Sequence, residues 1–164
     1  MDAVFHVEHQ VFNYRVAGVM IKEGRVLMHR AKTETNWSLP GGRVKLGEDA
    51  QTSLQREMKE ELDLNNVTVN GFLWTVENFF TYAEKEIHEV GLYFKITAKN
   101  PLPLNDGEEF TVLEADRLVF KWVPLEKLDE YVLYPEAVKE KLKKGSFEPD
   151  YFLEDQSPVV GTRS

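Results

Sequence analysis

Branched apolar residues cluster early in two short runs, "YRVAGVMI" (residues 14–21) and "GRVLMHR" (residues 24–30), split by "KEG". Their Val, Ile and Leu content predicts strands, and the short polar break predicts a tight turn that joins them as a pair. The next stretch, "TETNWSLPGGRVKLGED", predicts a loop: Pro40 fixes φ, and Gly41, Gly42 and Gly47 permit unusual backbone angles. From residue 49 to residue 62 the period changes. Leu54, Met58 and Leu62 recur every four residues, the spacing of one helix face. Strand-like runs return at residues 67–76 and 88–98, joined by a polar stretch. "RLVFKWVPL" predicts a further strand ending at Pro124, and "LEKLDEY" a short helical turn. "YPEAVKEKLKKG" predicts a helix, with Pro135 near its first turn, basic residues in its last and Gly145 as its stop. The last twenty residues lack any period and predict a tail in which Tyr151, Phe152 and Leu153 can pack.

Strands interspersed with few helices predict an α/β or α+β domain. The links between neighbouring strands are too short for a wholly parallel sheet, so a mixed sheet is expected. At 164 residues the chain has room for one domain with a real core. We place that domain at residues 1–144 and the tail at 145–164, packed on the domain or on a partner subunit. The tail and first strand are candidates for a homodimer contact.

Charge narrows the function. The formal net charge of −8 disfavours nucleic acid as a partner, because gripping a phosphate backbone needs clustered Lys and Arg. No cysteine is present, which removes disulfides, zinc–thiolate sites and thiol nucleophiles. No apolar run reaches membrane-spanning length and the first ten residues lack the pattern of a secretory signal, so the cytoplasm is the expected compartment.

The stretch "LQREMKEELDL" carries Glu57, Glu60 and Glu61 within five positions, with Arg56 against the first. Like charges three or four residues apart on a helix cost roughly 0.2–0.5 kcal/mol per pair. At about 100° per residue the three carboxylates lie on the flank of the Leu54–Met58–Leu62 stripe, where a groove beside the core can hold them. Taken alone, "REMKEEL" reads first as a solvated helix face. Its surroundings add constraints. Gly42 closes "LPGG" six residues before Glu48, and Arg56 follows Glu48 by eight. Six such positions coincide by chance at about one in a hundred thousand for a chain of this length.

The segment "GRVKLGEDAQTSLQREMKEELDL" resembles the box of the Nudix hydrolases, matching at Gly42, Glu48, Arg56, Glu57, Met58, Glu60, Glu61 and Leu64. Asp63 stands where that family usually has Gly, at a helix end that takes a left-handed backbone. Asp accepts that conformation at a cost of about 1 kcal/mol. "NWSLPGGRVKLGE" is similar to the family's approach loop and "FKWVPLEKL" to its late Trp-containing strand, so the resemblance runs over residues 16–144.

The resemblance implies an α/β/α sandwich with a mixed sheet and a metal-binding loop–helix. It also implies hydrolysis of a diphosphate that links a nucleoside to another group X, with Mg²⁺ or Mn²⁺ as cofactor. The partner is then a small nucleotide-type diphosphate. Such cations take hard oxygen ligands. Glu57, Glu60 and Glu61 are the expected metal ligands, with Gly41 bringing backbone close. Glu60, Glu61, Arg56 and Glu114 are the expected catalytic residues. Arg56 holds a glutamate in its rotamer, and Glu114 lies before the Trp strand, where many relatives carry a base. A box glutamate among like charges is an alternative base. Glu48 and Asp116 are outer-shell candidates, and Glu108 and Glu109 looser ones. Arg15 and Arg30 are expected to pair with the diphosphate, and Glu89, opening a strand next to His88, to reach substrate. Phe79, Phe80 and Tyr82 are expected in the core, with stacking on a base as the alternative. A nucleotide-sensing module without turnover is the rival on this fold. Isopentenyl diphosphate isomerase chemistry would require a cysteine.

Overall fold

The computed structural model describes residues 1–99, 102–112 and 116–155. Two sheets form its centre. The larger has the order β1 (Val4–Val7), β2 (Gln10–Val19), β7 (Lys85–Ala98), β6 (Val67–Tyr82) and β9 (Asp150–Asp155), with β5 (Gly41–Arg43) also paired to β2. β2 runs parallel to β7 and β6 parallel to β9, while the other pairs are antiparallel, so the sheet is mixed. The smaller sheet is antiparallel and has the order β3 (Ile21–Lys22), β4 (Arg25–Ala31) and β8 (Leu118–Pro124).

Helix α1 (Ala50–Leu62) covers one side and α2 (Glu136–Lys144) the other, giving an α/β/α sandwich. The period-two alternation of β2 supplies both layers: Val16 packs with Leu54, Met58 and Leu62 of α1, and Ala17 with Val138 and Leu142 of α2. All three α1 stripe residues are buried, each contributing roughly 2 kcal/mol of apolar burial. Among the described residues no helix is long and apolar enough to cross a membrane.

Several local expectations are corrected. The turn at Glu23–Gly24 is tight, with both residues at positive φ, but it joins β3 to β4. β2 enters the other sheet because its ten-residue register with β7 outweighs a local hairpin. The polar stretch after residue 76 belongs to a long hairpin: β6 has 16 residues and β7 has 14. Its turn uses Ala83 and Glu84 at positive φ, so no Gly or Asn announces it. His88 and Glu89 therefore lie within β7 instead of opening it. Phe79 and Phe80 are only half-buried and Tyr82 is exposed. The tail contributes β9, and Phe147 and Phe152 pack their rings on Trp74.

Helix α1 is fixed at both ends. The Asp49 side chain accepts the Thr52 N–H at 3.2 Å, satisfying one free amide of the first turn. At the other end Asp63 has φ 55° and ψ 33°, and its N–H donates to the Lys59 carbonyl at 3.0 Å. A residue with Cβ is strained in this left-handed position. Asp63→Gly is expected to raise stability by about 0.5–1 kcal/mol in denaturant titrations, and an unchanged or lowered stability would contradict the strain.

Candidate functional site

Strand β5 approaches α1 so closely that a side chain at residue 42 would collide with the Glu57 carboxyl. A Cβ there would lie 2.4 Å from the Glu57 carboxyl carbon and 2.5 and 2.7 Å from its oxygens. The carboxylate occupies that space. Gly41 is constrained from the opposite side, since a Cβ on it would come within 2.0 Å of the Val16 carbonyl oxygen in β2. The two glycines thus let a strand pass between β2 and an acidic helix.

Arg56 organises the acids. Its Nη1 donates to Glu57 at 2.9 Å and to Glu60 at 3.3 Å, and its Nε to Glu48 at 3.2 Å. Its Nη2 reaches the Arg43 carbonyl at 3.3 Å, tying helix to strand β5. The Ser53 hydroxyl donates to Glu48 at 2.6 Å, which holds the Glu48 carboxyl below its usual range before Arg56 adds its charge. Much of the like-charge repulsion on this face is therefore relieved by one guanidinium.

Glu61 escapes that relief. It is 6% exposed, and burial followed by the neighbouring Glu57 charge pushes its pKa up to about 8. Its Oε2 lies 3.6 Å from Nδ1 of His29, too far for a hydrogen bond, and neither atom has a partner. His29 is equally buried. Desolvation, helped by Arg15 and Arg117, lowers its pKa to about 3, so the imidazole is neutral. Burial also raises the Glu57 carboxyl, against the pull of Arg56. A protonated carboxyl, hydrogen-bonded with Glu57, and a neutral ring face one another through two atoms that lack partners, beside a second reluctant acid.

Among the described residues no three His, Asp or Glu side chains already converge as an ion cage. Arg56 draws Glu57 and Glu60 to itself, and Glu61 stands behind them. The other predicted residues divide. Arg15 donates to the Leu39 carbonyl at 2.8 Å and acts electrostatically on both Glu57 and Glu61. Arg30 turns elsewhere: it pairs with Glu109 at 2.8 Å and lies over the Trp37 ring. The second arginine that acts on Glu61 is Arg117, in the turn before β8. Asp116 is exposed in that turn, and Glu108 is exposed in the loop before it. Glu114 lies outside the described residues. Glu89 accepts the Asn13 side-chain N–H at 2.6 Å.

His29 was not anticipated from sequence, although a signal exists. It shares the parity of Leu27 on β4, and Leu27 points into the α1 core, so a His two residues on points beside it. Arg117 carries no comparable signal, because a turn arginine is placed only by the fold.

The family model for the NUDIX domain matches residues 12–144. No curated protein sequence matches the chain. Among solved structures it is similar to the mutator MutT protein of Bacillus halodurans, with a TM-score of 0.63 at 15% identity over 93% of this chain and 95% of that one. It is also similar to an ADP-ribose pyrophosphatase of Streptococcus suis, with a TM-score of 0.54 at 16% identity over 85% and 98% of the two chains. A UDP-X diphosphatase has a TM-score of 0.54 at 14% identity over 85% of this chain and 66% of that one. These structural likenesses concern the fold.

The buried pair generates a pH dependence. Glu61 has a folded pKa of about 8 against 4.5 for the free side chain. It therefore favours the folded state fully below 4.5, and that contribution is lost as pH rises through 8. His29 has the opposite sign: its contribution is present above 6.5 and lost as pH falls through about 3. Glu61→Gln removes the first and leaves the second. In metal-free denaturant titrations the stability of Glu61→Gln relative to wild type is expected to climb by about 1.4 kcal/mol per pH unit between about pH 5 and 7.5. A difference independent of pH would contradict the buried, protonated Glu61.

Proposed function

Because this chain belongs to the NUDIX domain family, we propose that it hydrolyses the diphosphate linkage between a nucleoside and a second group X, using Mg²⁺ or Mn²⁺ at the glutamate ridge. The observation that carries this reading is the buried, unpartnered carboxyl oxygen of Glu61 beside a Glu57 carboxylate lodged over Gly42. An ionised carboxylate in such a place is costly without a counter-charge. A divalent cation removes that cost, and the donor set, all carboxylate and backbone oxygen, is of the hard type such ions select.

Glu57, Glu60 and Glu61 are the ligands in this reading, with the Gly41 carbonyl as a backbone donor. When bound, the ion supplies charge against the phosphoryl oxygens and acidifies a water. The chain's own groups do the rest. Arg56 keeps Glu57 and Glu60 turned toward the Gly42 strand, so that the ridge is ordered before substrate arrives. Glu48, locked by Ser53 and Arg56, sets the position of that guanidinium. Arg15 and Arg117, close enough to act on Glu61, present guanidinium charge to the diphosphate. Neutral His29 walls the inner side and excludes water there. Glu60, the solvent-facing member, is our assignment for the group that receives the proton of the attacking water.

ADP-ribose and a UDP-linked compound belong in the test panel because structural neighbours are named for ADP-ribose and for UDP-X. Wild-type chain with Mg²⁺ is expected to release nucleoside monophosphate from at least one panel member, with products identified by mass. Glu57→Gln and Glu61→Gln are each expected to lower turnover by about a hundredfold or more while keeping the fold. Near-normal turnover in both at saturating Mg²⁺ would overturn the ligand assignment, and no release across the panel would overturn the reaction.

A further inference from the structure

A buried polar atom without a partner is rare in a folded protein, and each one calls for an account. Two such atoms lie together behind the ridge: Oε2 of Glu61 and Nδ1 of His29, 3.6 Å apart. Neither is open to solvent. Apolar side chains at these two places would spare the chain the cost of both. The neighbours of His29 on β4, Leu27 and Met28, are of that apolar kind and are fully buried.

The place of the imidazole is fixed by backbone on two sides. His29 is the register partner of Phe120 on β8. It also exchanges two hydrogen bonds with Ser38, N–H to carbonyl, at 2.9 Å in each direction. The His29 and Phe120 rings meet with centroids 5.8 Å apart. Side chains alternate along a strand, so His29 points the way of Leu27, into the layer packed against α1. Glu61 comes to it from the last turns of α1. The carboxyl is the adaptable partner, because a Glu side chain turns about several bonds. A shift of under about 1 Å brings the 3.6 Å gap to hydrogen-bond length.

The two oxygens of Glu61 are already divided. Its hydrogen bond with Glu57 falls to Oε1, since Oε2 has no partner. Oε1 therefore faces the ridge and Oε2 faces the ring. A carboxylate that gives one oxygen to a cation has the other free to be oriented by a donor, and metal-binding side chains take such partners as a rule. Neutral imidazole carries one N–H and one bare nitrogen. Opposite a carboxylate oxygen, the nitrogen that bears the hydrogen is the nearer one, Nδ1. Contacts of this kind are often long until the ligand set closes.

We propose that His29 is a positioning residue for the cation site: its Nδ1–H donates to Oε2 of Glu61 and so aims Oε1 at the ion. The inference rests on the reading of Glu61 as a cation ligand and adds the residue that orients it. Two unmatched atoms become one matched pair. The same pairing explains why an imidazole stands on an otherwise apolar stretch of β4.

Manganese is the probe, titrated by calorimetry into wild-type chain, His29→Phe and His29→Asn. Phe fills the ring's space without a donor, and Asn presents an amide N–H near the place of Nδ1. His29→Phe is expected to bind the ion about tenfold or more weaker than wild type, and His29→Asn within about threefold of it. Without the ion, His29→Phe is expected to unfold at the same denaturant concentration as wild type or a higher one, which separates loss of binding from loss of fold. In the wild type with Mg²⁺, nitrogen NMR of the ring is expected to show the hydrogen on Nδ1. Should His29→Phe fail to fold, the Asn variant and the ring signal decide. Equal manganese binding by wild type and His29→Phe, no recovery in His29→Asn, or a hydrogen on Nε2 in the Mg²⁺-bound chain would overturn the inference and leave the cation site standing. Absence of binding by the wild type would overturn the cation site itself.

Discussion

The close passage of strand β5 past helix α1 is the constraint on which the rest depends. With a side chain at residue 42 the Glu57 carboxyl would have to leave the volume it fills. Moving it would break its hydrogen bond from Arg56, the guanidinium that also holds Glu48, Glu60 and the Arg43 carbonyl. The approach therefore brings acids, guanidinium and backbone carbonyls into one small region. It also seals the inner side, where Glu61 Oε2 and His29 Nδ1 are left without hydrogen-bond partners. A fold selected for stability alone would fill that site with apolar residues. This chain keeps a carboxyl that holds its proton near neutral pH and an imidazole that refuses one.

At the ridge the unmatched carboxyl oxygen is acidic and calls for positive charge. Stability given up there is the usual cost of a binding surface built in advance.

Much of the ridge was legible in the sequence because its information is local. The spacing of Glu57, Glu60 and Glu61 fixes their place on α1, and Gly42 marks the close approach without reference to distant residues. Asp63 likewise takes the left-handed backbone expected of it. What stayed hidden depends on long-range pairing. The parallel register of β2 with β7 joins Asn13 to Glu89, and nothing near either residue announces the other. The Ala83–Glu84 turn carries no Gly or Asn, so the long hairpin read as two shorter strands. Strand β9 has too little alternation to be seen before β6 is there to receive it. Arg30 and Arg117 were indistinguishable as sequence. One lies over Trp37 with Glu109, the other beside the ridge, and only the pairing of β4 with β8 decides between them.

Manganese titration offers the most direct trial, by calorimetry or by the paramagnetic relaxation of water, on wild-type chain and on the Glu57→Gln, Glu61→Gln double variant. The ridge is expected to bind the ion in the wild type and to lose it in the double variant, while both chains keep the same fold by circular dichroism. Equal binding by the two chains, or none by the wild type even with a nucleoside diphosphate present, would contradict the claim that these glutamates form the cation site.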